Sequence, residues 1–170
     1  AYGYGAPFAV TSWGGNALFH AESGLWHLFV TEISGQGCGL ARWGSQSTVT
    51  HATSATAAGP YSKVRTAIGM QAHNPQVLAT QGGWYVFHIG DGAQGPAAVG
   101  KPCNGSATAV AESAAAGGLI HRAEAPDGVF AALPTPAGFS PCNNPAPALH
   151  PNGTLFVVCS WRLLSAPRPE

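Results

Sequence analysis

AHNPQVLATQGGWYVFHIGDG, residues 72–92, carries the strongest structural signal in the chain. Pro75 has no N–H to give a sheet ladder, so it belongs at the first residue of a strand or on an edge. Asn74-Pro75 therefore reads as a strand start. Gln76 to Thr80 reads as one strand, Gln81-Gly82-Gly83 as a turn, and Trp84 to Ile89 as a second strand rich in aromatic and β-branched residues.

The same phrase recurs. NALFHAESGLWHLFVTEI from Asn16, NPQVLATQGGWYVFHIGD from Asn74 and NPAPALHPNGTLFVVCSW from Asn144 each run Asn, short apolar strand, Gly-bearing turn, apolar strand. Between the copies, STVTHATSATAAGPYSKVRTAI from Ser47 matches LIHRAEAPDGVFAAL from Leu119. Each unit thus supplies four strands, which at about 60 residues per unit is the pattern of a β-propeller blade. The apolar runs Trp26–Val30 and Leu155–Cys159 suit strands buried on both faces between neighbouring blades. Lys63 and Arg65, read as lying on one side of the fourth strand, suit an outer edge that must resist foreign pairing.

The fold class expected is all-β, a β-propeller with about two and a half four-stranded blades. Blade one covers roughly 13–70, blade two 71–137 and a partial blade three 140–163, within one domain at 1–163; residues 164–170 read as a tail. A closed propeller needs at least about four blades. The remaining blades are expected from a longer chain or a partner. A β-sandwich of similar strand count is the competing architecture, but it gives no reason for three Asn-led hairpins.

Composition limits the function classes. Charged residues are 8%, against about 25% in ordinary domains, and seven basic side chains balance seven acidic ones. With no basic run to neutralise phosphates, nucleic acid is not an expected partner. No stretch approaches the ~20 apolar residues of a membrane helix, so membrane insertion is not expected either. Cys38, Cys103, Cys142 and Cys159 show no metal-type spacing and read as disulfide candidates with three possible connectivities. Asn104-Gly105-Ser106 and Asn152-Gly153-Thr154 are sequons. Together these point to an extracellular or secretory-pathway glycoprotein, and the absent initiator Met fits a mature form or an excised fragment.

In a four-strand meander the start of the first strand, the end of the second and the loops beside them share one end of the blade. That gathers Trp13, Asn16, Glu32, Arg42, Trp43, His73, Asn74, Asp91, Asn144, Trp161 and Arg162, with the cysteines, on one face. Disulfides pinning the loops there are expected, with Cys103–Cys142 the preferred pair.

WGGNALF at 13–19, HATSATAAGPY at 51–61, AHNPQV at 72–77 and NNPAPALHPNGT at 143–154 resemble the five-bladed propellers of glycoside hydrolase family 43 and its arabinanase, levansucrase and invertase relatives. The likeness covers most of this chain and about half of such a domain. It implies a carbohydrate-active protein acting on glycosidic bonds of a plant- or algal-type polysaccharide or oligosaccharide. It also implies an acidic residue at the innermost strand start of successive blades, serving as general base, pKa-tuning acid and general acid. The matching residues here are Asn16, Asn74 and Asn144, and none carries a carboxyl group.

Inverting hydrolysis needs a carboxylate and a carboxylic acid ~6.5–9.5 Å apart. Glu32 and Asp91, each ending a second strand, are the nearest substitutes, with His73 as a further acid or base. Trp13, Trp161 and Arg162 with the three Asn form the candidate sugar-binding set. The alternatives are a non-catalytic carbohydrate-binding propeller, or a structural or protein-interaction propeller in which the Asn merely shape turns. His51 and His121 read as equivalent buried, hydrogen-bonded histidines; no cofactor or metal site is expected, although the resemblance leaves room for an axial cation held by a residue such as His51.

Overall fold

The computed structural model describes residues 11–33, 39–92, 118–134, 142–160 and, as a strand, 162–167. The first sheet is an antiparallel meander of β1 (Thr11–His20), β2 (Leu25–Ile33), β3 (Ser47–Ser54) and β4 (Ser62–Ile68). A 3₁₀ turn (Leu40–Arg42) and one helical turn, α1 (Trp43–Gln46), lead into β3. The second sheet repeats this order with β5 (His73–Thr80), β6 (Gly83–Ile89), β7 (Gly118–Ala123) and β8 (Ala131–Ala132). The third holds β9 (Ala146–Leu149), β10 (Thr154–Cys159) and β11 (Arg162–Pro167). Four-stranded antiparallel sheets in sequence order are propeller blades, as the repeat predicts.

β11 corrects the expected end of the third blade. Residues 164–167 are not tail: they continue a strand that pairs from Cys159↔Arg162 to Thr154↔Pro167. RLLSAP has no alternation to announce a strand; the open edge of β10 supplies the partner.

Each sheet begins with the same irregularity. Pairing steps from Trp13↔Thr31 to Asn16↔Phe29 in the first sheet and from His73↔Ile89 to Gln76↔Phe87 in the second. In the third, the Ser160 N–H donates to the Asn143 carbonyl while Ala146 already pairs with Val158. The second residue of each bulge is left-handed: Gly14 (φ 61°), Asn74 (φ 50°) and Asn144 (φ 51°). Glycine and asparagine visit that region most readily. Pro75 and Pro145 come next, where the bulge interrupts the ladder and no N–H is required. The structural counterpart of Asn74 and Asn144 is therefore Gly14, not Asn16, which lies two residues further along β1.

Side chains of β6 alternate between two apolar seams, so the whole strand reads as one apolar run. Trp84 and Val86 join Phe29, Val49, Ile68, Val77 and Phe130 between the first and second sheets. Tyr85 and Phe87 join Ile120, Leu155 and Val157 between the second and third. The expectation that β10 is likewise buried on both faces fails: Leu155, Val157 and Cys159 are buried, but Val158 is 52% exposed. Among the described residues only one face of β10 meets another sheet. Lys63 and Arg65 also do not share a side, because a register shift in β4 pairs them with the adjacent residues Ala52 and His51. No helix among the described residues is long and apolar enough to cross a membrane.

Candidate functional site

The three strand entries converge on a pocket of about 480 Å³ lined by Trp13, Leu40, Trp43, His73, Ile89, Asn143 and Asn144. That volume is in the ordinary range for a small-molecule cleft, about 300–1,000 Å³. Trp13, His73 and Asn143 are the first residues of the three equivalent bulges, so the repeat itself carries one lining residue from each sheet to the same mouth. The short helical segment before β3 adds Leu40 and Trp43. Trp13, one of the lining residues, is 51% exposed.

Beside the pocket the left-handed residues meet one another. The Asn74 side-chain nitrogen donates to the Asn144 Oδ1 at 2.8 Å. Asn144 Nδ2 donates in turn to the Ser160 hydroxyl at 3.1 Å. The backbone N–H of Asn74 donates to Thr31 Oγ1 at 2.7 Å, fixing the second entry to the end of β2. A Cβ on Gly14 would stand 1.8 Å from Asn74 Oδ1, so the Asn74 amide fills the space a side chain at position 14 would need.

Asn16 has another task. Its Nδ2 donates to the Val77 carbonyl at 3.0 Å and its Oδ1 accepts from the Val77 N–H at 2.7 Å. The side-chain amide thus imitates a strand's peptide group and ties β1 to β5, leaving Asn16 outside the pocket lining.

His73 is buried on the pocket wall, with Nδ1 2.8 Å from Ser47 Oγ and its ring centroid 4.8 Å from that of Trp43. Burial pulls its pKa down to about 4, so it is neutral around pH 7. No charged side chain lines the pocket among the described residues.

The two proposed carboxylates lie elsewhere. Glu32 is buried with its Oε2 2.6 Å from Lys63 Nζ and 2.8 Å from Thr50 Oγ1, which donates to it. It shares the strand parity of Leu28 and Val30, whose cluster lies apart from the seam with the second sheet. Asp91 is half-buried just past β6 and is not a lining residue. Trp161, Cys38, Cys103 and Asn104 lie outside the described residues, and Arg162 is described only as the first residue of β11.

The preferred Cys103–Cys142 pairing is incorrect: Cys142 bonds Cys159, 17 residues away. The start of the third sheet lies beside the end of its second strand, and sequence spacing alone does not announce that neighbour. Among the described residues no group of three or more His, Cys, Asp or Glu is arranged to hold a metal ion. His51 and His121 are not register equivalents. Phe29 pairs with His51, whereas its counterpart Phe87 pairs with Ile120, one residue before His121.

Trp43 was legible as a residue of this face, but Leu40, Ile89, Asn143 and the role of Gly14 were not. The signal available was the alignment of WGGN with HNPQ and NNPA, which sets Gly14, two residues before Asn16, against Asn74 and Asn144.

No family model matches the chain, and neither does any curated protein. Solved structures do. A family 43 β-xylosidase/α-arabinofuranosidase from a compost microbial metagenome, in complex with xylotriose, aligns with TM-score 0.55 at 12% identity over 87% of this chain and 42% of its own. A family 117 glycoside hydrolase from the marine bacterium Zobellia galactanivorans aligns with TM-score 0.56 at 13% identity, over 88% and 48%. Inulosucrase from Halalkalicoccus jeotgali, bound to kestose, aligns with TM-score 0.52 at 16% identity, over 87% and 38%. The chain therefore spans less than half the length of these similar proteins. At such identities the likeness establishes the fold, which is part of a β-propeller of the glycoside hydrolase type.

Proposed function

We propose that this chain forms part of a carbohydrate-binding propeller mouth. Aromatic rings carry the apolar face of a neutral sugar, and side-chain amides bond its hydroxyls. The observation that carries this reading is the Asn74–Asn144 pair, two amides 2.8 Å apart at strand entries where the resemblance implies carboxylates. An amide both donates and accepts toward hydroxyl groups, but it has no proton to exchange near neutral pH. Trp13 and Trp43, with neutral His73, supply an apolar, uncharged wall. Solved propellers of this fold hold xylotriose and kestose, which supports a sugar ligand by analogy.

Hydrolysis by this chain alone is disfavoured in this reading, because the Glu32 carboxylate is committed to Lys63 and Thr50. Calorimetric titration of the 170-residue chain with xylo-, arabino-, galacto- and fructo-oligosaccharides, beside reducing-sugar assays, tests it. Binding without sugar release, weakened about tenfold or more by Trp43→Ala, is the expected result. Failure to bind any of the four series, or turnover abolished by Glu32→Gln, would overturn it.

We also read the protein as extracellular. Cys142–Cys159 favours an oxidising compartment. The Asn152 sequon occupies an exposed turn in which Asn152 Oδ1 accepts from the Thr154 N–H at 3.0 Å. Secretion from a eukaryotic host is expected to yield a glycan on the Asn152 peptide, and an unmodified peptide would sink that assignment.

A further inference from the structure

The apolar seam between the first and second sheets also holds buried histidines. His27 and His51 come from the first sheet, His88 and His121 from the second, and all four are buried. His27 Nδ1 lies 2.8 Å from His51 Nε2, and His88 Nε2 lies 2.9 Å from His121 Nδ1. The one-residue offset between His51 and His121 puts them on opposite faces of their own sheets. Because the sheets face each other, both pairs point into the same seam, around Trp84, Phe29 and Ile68.

Neither pair can hold a proton on both facing nitrogens, and burial opposes a charge on any of the four rings. His88 Nδ1 is 3.1 Å from the Ile89 carbonyl, which can only accept, so in the neutral ring His88 Nε2 must receive the His121 Nδ1–H. A proton added at His88 Nε2 would confront that N–H directly. His51 Nδ1 is buried with no hydrogen-bond partner; a charged His51 would hold an N–H there with nothing to accept it. The other charged or titratable groups around the seam are mostly cationic or become so. His20 on β1 faces His27 and sits 3.9 Å from Glu22. Arg65 on β4 faces His51 and donates to the Gly128 carbonyl across the seam. Among the described residues Asp127, before β8, is the carboxylate that acts on His27 and His51.

We propose that this histidine seam is an acid-opened joint, in which protonation of the two pairs separates the first sheet from the second while each sheet keeps its own ladder. The sign follows from the direction of the shifts. Burial first, then neighbouring positive charge, lowers His51 to about 4 and His88 to about 3, and burial also lowers His27 and His121. A depressed histidine stabilises the closed seam fully above its exposed value near 6.5. That stabilisation is lost as pH falls from there toward the closed-state values. The device does not depend on the sugar-binding reading.

The test uses the 170-residue chain with two paired variants, His27→Phe/His51→Phe and His88→Phe/His121→Phe, and follows the urea midpoint from pH 8 to 4. Each net proton taken up on opening lowers the closed-to-open ratio about tenfold per pH unit. With four seam histidines each taking up most of a proton, the native chain is expected to lose about a thousandfold or more between pH 6 and 5, and each variant, with two fewer, about fiftyfold less. His73 titrates equally in all three proteins, so the difference in slope isolates the seam. Equal slopes would overturn the proposal. Should a variant fail to fold, histidine NMR on the native chain decides. The four rings are expected to stay neutral until Trp84 loses its seam contacts, with β1–β4 amides still protected from exchange. Titration near pH 6.5 in a closed seam, or simultaneous loss of all amide protection, would refute it.

Discussion

Asn74 Nδ2 and Asn144 Oδ1 stand 2.8 Å apart across two neighbouring sheets, each residue in the left-handed conformation at the second position of its strand's entry bulge. One residue type meets two demands there: it tolerates positive φ and it offers a polar side chain at the mouth. In the first sheet Gly14 meets only the backbone demand, because the Asn74 amide already occupies the side-chain space. The polar inner edge is thus built from two amides rather than three equivalent groups.

Gly14 is the position where this arrangement is most easily broken. A side chain there must adopt φ 61° and displace Asn74, so Gly14→Ala is expected to destabilise the chain by about 2 kcal/mol or more. Asn74→Gly should recover part of the loss when combined with it, since the clash, though not the strain, disappears. Urea unfolding of the four proteins of the double-mutant cycle measures the coupling; strict additivity would contradict the contact.

Asn16 is expected to matter for folding more than for ligand. Asn16→Ala leaves the Val77 N–H and carbonyl without their partner, at a cost of about 1–3 kcal/mol. Asn16→Asp keeps an acceptor for the N–H but sets a carboxylate against the carbonyl, so it should not restore stability. Full stability of the aspartate variant would show that the clamp is misassigned.

Glu32 and Lys63 should behave as one structural unit. Removing either leaves the other without its partner, and because the lysine is partly exposed the cost is about 1–3 kcal/mol. The double substitution Glu32→Leu/Lys63→Met is expected to be less destabilised than the sum of the singles. A Glu32→Gln variant that unfolds normally yet loses sugar turnover would instead return Glu32 to the catalytic role.

His73 predicts the pH behaviour of the mouth. Its pKa, held at about 4 by burial, means that sugar affinity should be flat from pH 8 to 6. The stabilisation its neutral ring gives is complete above about 6.5 and declines as pH falls toward 4. An affinity step near pH 6.5 in calorimetric titrations would show that the ring is solvated instead.

The Cys142–Cys159 bond closes a short loop across β9 and β10. Replacing both cysteines with serine is expected to cost about 2–4 kcal/mol. Non-reducing peptide mapping should recover the Cys142 and Cys159 peptides joined; a Cys103–Cys142 peptide would overturn the bond.

What the sequence determined by itself was the propeller. Its evidence is local: proline at strand entries, glycine at hairpin tips, and apolar runs such as Trp84–Ile89 that make sense only between two sheets. Tertiary structure decided the site, because side-chain direction depends on register and on bulges that shift it. A bulge between Trp13 and Asn16 made Gly14, not Asn16, the partner of Asn74. Strand parity turned Glu32 toward Lys63 instead of the mouth. The one-residue difference between His51 and His121, which breaks their apparent equivalence, brought both into a single buried seam. A step of one residue changes the face of a strand but hardly alters a sequence pattern, so architecture was legible in the chain and chemistry was not.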